Sequence, residues 1–167
     1  MRSKTMSNYS NAKKRFEEGT NAFISGDLND SVTAFSEVIQ MDPDFSLAYA
    51  SRGTAFLNQH KLNLAIEDFD KFIRLKPKNA RAYHMRGLAR MESGDQNNAI
   101  ADFNKAIELN PGYGVAYFSR GRAYALAGDK QQAEQDLEMA NSLGKKIKDE
   151  FMKEHNIPWT GEVRLEE

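Results

Sequence analysis

The chain has 167 residues, a length that suits one domain and lets it fold without covalent staples. It has no cysteine, which excludes disulfides, thiolate zinc sites, iron–sulfur clusters and cysteine nucleophiles. Its 23 basic and 24 acidic residues give a formal net charge of −1, so no global field draws it to nucleic acid or anionic lipid.

Residues 1–11 read as a polar, mobile leader. No apolar stretch follows Met1–Met6 that would make a signal peptide, and the longest apolar runs fall far short of the ~20 residues that span a bilayer. A cytoplasmic protein without membrane insertion is expected; a trimmed leader would instead imply a periplasmic or secreted one.

From residue 12 onward one period governs the chain. Pro43, Pro77 and Pro111 are 34 residues apart, and so are Gly19, Gly53, Gly87 and Gly121. Phe35, Phe69 and Phe103 keep the step, continued by Leu137; Ala65, Ala99 and Ala133 keep it too, preceded by Ser31. The units are 12–45, 46–79, 80–113 and 114–147. Within each unit the pattern predicts a first helix over roughly positions 1–14 and a second over roughly positions 17–30. Gly26-Asp27, Gly94-Asp95 and Gly128-Asp129 separate the two helices. Glycine tolerates the left-handed residue that ends a helix, and aspartate can cap the next one. His60-Lys61 stands there in the second unit and should weaken that turn. The prolines, two residues past Met41, Leu75 and Leu109, forbid continuation of the second helix.

Positions 4, 8 and 11 of the first helix face positions 20, 24 and 27 of the second. A mid-helix glycine costs about 1 kcal/mol against alanine, so its recurrence implies close approach of the two helices around the aromatics. Arg52, Arg86 and Arg120 recur at position 7, with Asp68, Asp102 and Asp136 at position 23. They read as intra-hairpin ion pairs, each contributing at most ~1 kcal/mol if exposed. The competing reading is an arginine ladder for an anionic partner. The first unit lacks both residues.

The three histidines, His60, His84 and His155, share no metal-ligand spacing. No nucleophile elbow, phosphate loop or carboxylate dyad is present, so no enzyme, metal or cofactor is expected.

The 34-residue period with aromatic-4, glycine-8, aromatic-11, alanine-20, aromatic-24, small-27 and proline-32 resembles the tetratricopeptide repeat (TPR) family. Ala116–Tyr124 and Ala99–Pro111 match that pattern closely. Arg15, Glu18 and Ala22 make the first repeat the loosest match, Phe72 departs at position 27, and Lys145 replaces the last proline. The resemblance implies an all-α, right-handed α-solenoid of four antiparallel helical hairpins. It also implies a closing helix over 145–155, overlapping the end of the fourth repeat, before the tail 156–167. Trp159 in that tail is expected to pack on the closing helix; docking into another copy's groove is the alternative.

The resemblance further implies that positions 2, 5, 9 and 12 of the first helices line a concave groove. The candidate binding residues are Thr20, Phe23, Leu47, Thr54, Leu57, Arg81, His84, Leu88, Met91, Phe118 and Arg122. Such a groove is expected to take a protein or peptide ligand with apolar anchors and acidic character. The carboxylate clamp of chaperone-binding relatives is not expected, because only Arg81 of the required set is present. The predicted function is non-catalytic protein interaction. The alternative is a self-associating scaffold, a homo-oligomer assembled through repeat faces or the tail.

Overall fold

The computed structural model describes the backbone of residues 2–154 and the side chains of residues 10–146. Among the described residues every regular element is a helix. In chain order these are α1 (Arg2–Ile24), α2 (Leu28–Met41), α3 (Ser46–Asn58), α4 (Leu62–Leu75), α5 (Ala80–Glu92), α6 (Gln96–Leu109), α7 (Gly114–Ala127) and α8 (Lys130–Glu154). They pair as hairpins α1–α2, α3–α4, α5–α6 and α7–α8, and each second helix also packs on the next first helix. The result is an α-solenoid.

Local chemistry sets the helix ends. Gly26, Gly94 and Gly128 take φ of +85°, +87° and +87°, the left-handed geometry that closes the first helix of their hairpins. His60 takes the same role at φ +55°. The turn keeps its shape despite the departure: Lys61 N donates to Phe56 O at 2.9 Å, as Asp95 N does to Arg90 O. The cost stays in the backbone, on the order of 1 kcal/mol for a side chain held left-handed. Asp95 caps α6 through Asn98 N and Asp129 accepts from Gln132 N, whereas Asp27 makes no side-chain cap bond. The second helices α2, α4 and α6 end at Met41, Leu75 and Leu109, before the prolines.

Two segments differ from expectation. Residues 2–11, read as a mobile leader, are helical backbone continuous with the first repeat in α1. The closing helix over 145–155 is not a separate element: α8 runs unbroken to Glu154. Lys145 supplies the backbone N–H that a proline would remove, so nothing ends the helix at Leu143. The tail 156–167, with Trp159, lies outside the described residues.

The core repeats with the sequence. Phe35, Phe69 and Phe103 are at most 1% exposed, and each ring lies against the glycine at position 8 of its own repeat. A Cβ on Gly19, Gly53 or Gly87 would sit 2.8, 2.8 or 2.6 Å from a ring carbon. At Gly121, where Leu137 replaces phenylalanine, the nearest atom is Ala133 O at 3.1 Å. Gly87→Ala is therefore expected to destabilise by about 1–3 kcal/mol, overpacking outweighing the gain in helix propensity. Gly121→Ala should cost less than half as much in parallel urea titrations, and equal losses would show that the rings do not set the spacing.

Across each hairpin the arginine at position 7 forks onto the aspartate at position 23. Arg52 binds Asp68 at 2.8 and 2.7 Å, Arg86 binds Asp102 at 2.9 and 2.6 Å, and Arg120 binds Asp136 at 2.7 and 2.6 Å. The remaining guanidinium nitrogen reaches back to the preceding second helix, at Ser36, Asp70 and Asn104 respectively. Each arginine thus ties its own hairpin to its neighbour. In the first repeat Arg15 joins the two helices of its own hairpin from another position, with Glu37 at 2.6 Å and Glu18 at 2.8 Å, and makes no such tie to the next one.

Candidate peptide-binding groove

The first helices touch one another along the array, α1 with α3, α3 with α5 and α5 with α7, while among the described residues no such contact joins the second helices. That asymmetry curves the solenoid with the first helices inward. Among positions 2, 5, 9 and 12 of these helices none holds an acidic residue.

Two cavities open along this face. The smaller, about 150 Å³, is walled by Thr20, Phe23, Phe35, Ser51, Thr54 and Arg81. The hydroxyls of Thr20 and Thr54 donate to carbonyls one turn back, at 2.9 and 2.8 Å, so these residues offer the cavity their methyl groups. The larger, about 750 Å³, lies on the third repeat, between the turn that leads into it and the turn that leaves it. Its lining is Lys78, Asn79, Ala80, Arg81, His84, Met85, Leu88, Leu109, Asn110 and Tyr113. Leu57 and Phe23 meet beside His60 and Glu92 in a depression of about 540 Å³ near the intra-hairpin turns. A depression of about 580 Å³ at Gly26–Asp30, Gln59 and Lys61 is polar and lies on the turns rather than in the groove.

The candidate residues thus separate. Thr20, Phe23, Thr54 and Arg81 share one cavity, and Arg81, His84 and Leu88 share the other. Leu47, Phe118 and Arg122 are exposed but line neither cavity. Met91 is buried, packed with Ala99, Phe103 and Ala123 across the junction of repeats 3 and 4, and is core rather than groove. His84 is 6% exposed. Its Nε2 lies 2.9 Å from Ser119 Oγ and its Nδ1 3.4 Å from Tyr113 Oη, with the Tyr113 ring edge-on at 5.3 Å. It joins α5 to α7 and presents only an edge to the cavity.

Arg81 is the pivot. It borders both cavities, is exposed, and makes no hydrogen bond or ion pair among the described residues. Lys78 stands on the rim of the larger cavity in the same condition. By contrast, Arg52, Arg86 and Arg120 are committed to carboxylates and form no ladder for an outside anion. Lys78, Asn79, Leu109, Asn110 and Tyr113 were missed from sequence, being turn or helix-end residues off the first-helix stripe. Their only signal is adjacency to positions 2 and 5 across the turn.

Comparison with known proteins agrees with this architecture. Family models described as the tetratricopeptide repeat match residues 16–80, 80–113 and 103–135. A crystal structure of MamA is 26% identical, with 83% of this chain and 81% of that one covered and a TM-score of 0.78. The TPR domain of Arabidopsis OM64 is 29% identical over 71% of this chain and 98% of its own, with a TM-score of 0.68. MamA from Desulfovibrio magneticus RS-1, at 22% identity, 81% and 76% coverage and a TM-score of 0.76, adds a likeness of fold alone. No curated protein matches the chain by sequence.

Proposed function

The chain is a tetratricopeptide repeat protein, a protein-interaction module by fold, and on that premise we propose that its concave face binds an acidic, apolar peptide or helix of a partner protein. The observation that carries this reading is Arg81: a guanidinium unpaired among the described residues, between two cavities neither of which is lined by an acidic residue. A carboxylate arriving there meets a fork-shaped donor, while apolar side chains find Phe23, Met85, Leu88 and Leu109. The module acts by binding and not by catalysis. Among the described residues no helix is long and apolar enough to cross a membrane.

The test uses a labelled synthetic peptide in which glutamates alternate with leucine and valine. A charge-assisted hydrogen bond contributes about 1.5–3 kcal/mol, so Arg81→Glu should weaken binding roughly tenfold or more. Phe118→Ala and Arg122→Glu should weaken it less, since neither residue lines a cavity. All three positions are exposed, so helicity and melting temperature should hold. Equal binding by wild type and Arg81→Glu would place the site elsewhere.

One observation favours self-association as a second reading. Position 24 is at most 1% exposed in the first three repeats, but Leu137 is 38% exposed, and Leu126 on the same hairpin is 62% exposed. This leaves an apolar end face on which a further hairpin of another copy could stack. Light scattering over a concentration series separates the readings, because a scaffold gains mass and a monomeric binder does not.

A further inference from the structure

We infer, resting on the groove reading above, that the acidic group received by the larger cavity is a phosphorylated side chain of the partner peptide. The side-chain polar groups that this cavity offers a ligand are donors. Asn79 Oδ1 accepts from Ala82 N at 3.2 Å and holds the start of α5, while Asn110 Oδ1 accepts from Gly112 N at 3.1 Å and holds the turn after α6. Their Nδ2 groups make no hydrogen bond among the described residues, and an amide nitrogen only donates. Lys78 and Arg81 are exposed, have no partner among the described residues and carry donors alone. His84 is engaged with Ser119 and Tyr113. The free donors therefore come from both turns that flank the third repeat. Arg81 spans them: burial raises the Tyr113 phenol and the Arg81 charge opposes the rise, so the guanidinium lies within electrostatic reach of the second turn.

A glutamate side chain brings a single charge and two oxygens, which leaves one of the two cations unmatched. A phosphoryl group brings about −1.5 to −2 charge at neutral pH and three strong acceptor oxygens. It balances Lys78 and Arg81 together and gives the two carboxamides an acceptor as well, in charge-assisted bonds about twice as strong as neutral ones. The rest of the wall fits a peptide rather than a free anion. Met85, Leu88 and Leu109 offer apolar cover to a residue beside the phosphorylated one. Across Arg81, the cavity of about 150 Å³ walled by Phe23, Phe35 and the methyl groups of Thr20 and Thr54 takes a second apolar side chain.

The probe is the labelled glutamate, leucine and valine peptide with one central glutamate kept, replaced by phosphoserine, or replaced by serine. The phosphoserine form should bind the wild-type chain roughly tenfold tighter than the glutamate form, with the serine form weakest. Asn79→Asp and Asn110→Asp test whether this cavity makes the distinction. Aspartate keeps the oxygen that accepts from Ala82 N or Gly112 N and exchanges the free donor for an acceptor, so the melting temperature should hold. Each variant, and Lys78→Gln, should cut the preference for phosphoserine to about threefold or less.

Phosphoserine and glutamate forms that bind wild type within about threefold of each other overturn the inference. The groove then survives so long as the glutamate form still depends on Arg81. A preference unmoved by both aspartate variants also overturns it, since the phosphoryl group is then read elsewhere. So does inorganic phosphate that displaces the phosphoserine peptide as effectively as the unlabelled peptide does, because the occupant is then a free anion. If no form of the peptide responds to Arg81→Glu, the groove reading fails with it.

Discussion

Arg52→Ala is expected to cost the fold about 3–5 kcal/mol, the range for breaking a buried ion pair by removing one partner. Asp68 is 5% exposed and accepts from Arg52 alone, at 2.8 and 2.7 Å. Alanine would leave that carboxylate buried and unmatched. The variant also frees Ser36 Oγ and removes a guanidinium 5.9 Å from the Tyr49 ring and 5.8 Å from the Phe56 ring. The ~1 kcal/mol ceiling for an exposed pair therefore does not apply. Burial pushes the Asp68 carboxyl up while Arg52 pulls it down, and the same hydrogen bonds raise Arg52. The two shifts oppose each other; the short bidentate geometry decides for a pair charged at neutral pH.

Two comparisons give this prediction its edge. Arg86→Ala should cost less than Arg52→Ala, because Asp102 keeps Arg90 at 2.8 Å. Arg52→Met combined with Asp68→Leu should recover most of the loss, since replacing both charges by apolar groups removes the stranded carboxylate. Urea titration at neutral pH measures all three. A loss under about 1 kcal/mol for Arg52→Ala would return the pair to the status of a surface contact.

The same pairs show what could be read from the sequence. Gly53, Phe69, Arg52 and Asp68 each recur at a fixed offset, and periodicity alone places them on facing helices. Their burial was not readable, because it depends on the next repeat stacking over them. Position 5 makes this concrete: His84 is 6% exposed beneath Tyr113 and Ser119 of the following repeat, while Phe118 at the same position is 48% exposed where no described hairpin follows. Position 12 behaves alike, with Met91 buried against Ala123. The stripe was legible as a stripe, but which of its members open to solvent is decided between repeats. The larger cavity follows the same logic at its rim, since Lys78 and Asn79 at the end of the second repeat reach it only where the third repeat begins. Lys145 in place of proline was visible in the sequence, and its consequence, an α8 running straight to Glu154, follows from the restored N–H.

Acid should weaken the junction of repeats 3 and 4 through His84. Burial, with the Arg81 charge adding to it, pushes the imidazole down from its ordinary 6.5 to about 4. The neutral ring is well served: one nitrogen donates and the other accepts, between Ser119 Oγ and Tyr113 Oη. A protonated ring could still donate to both oxygens, so the penalty lies in desolvation and in the nearby guanidinium rather than in lost hydrogen bonds. Because the folded-state value is depressed, the unfolded chain binds the proton more readily. The stability that neutral His84 secures is intact above pH 6.5, declines as pH falls through the window between 6.5 and about 4, and is gone below it. At 1.36 kcal/mol per unit the loss amounts to about 3 kcal/mol. Carboxylates titrate over part of the same window, so the decisive quantity is the wild-type stability minus that of His84→Gln. That difference should be flat above pH 7 and fall by about 3 kcal/mol at pH 4. Parallel slopes for the two proteins across the window would mean that His84 is solvated and does not hold the repeats together as a neutral base.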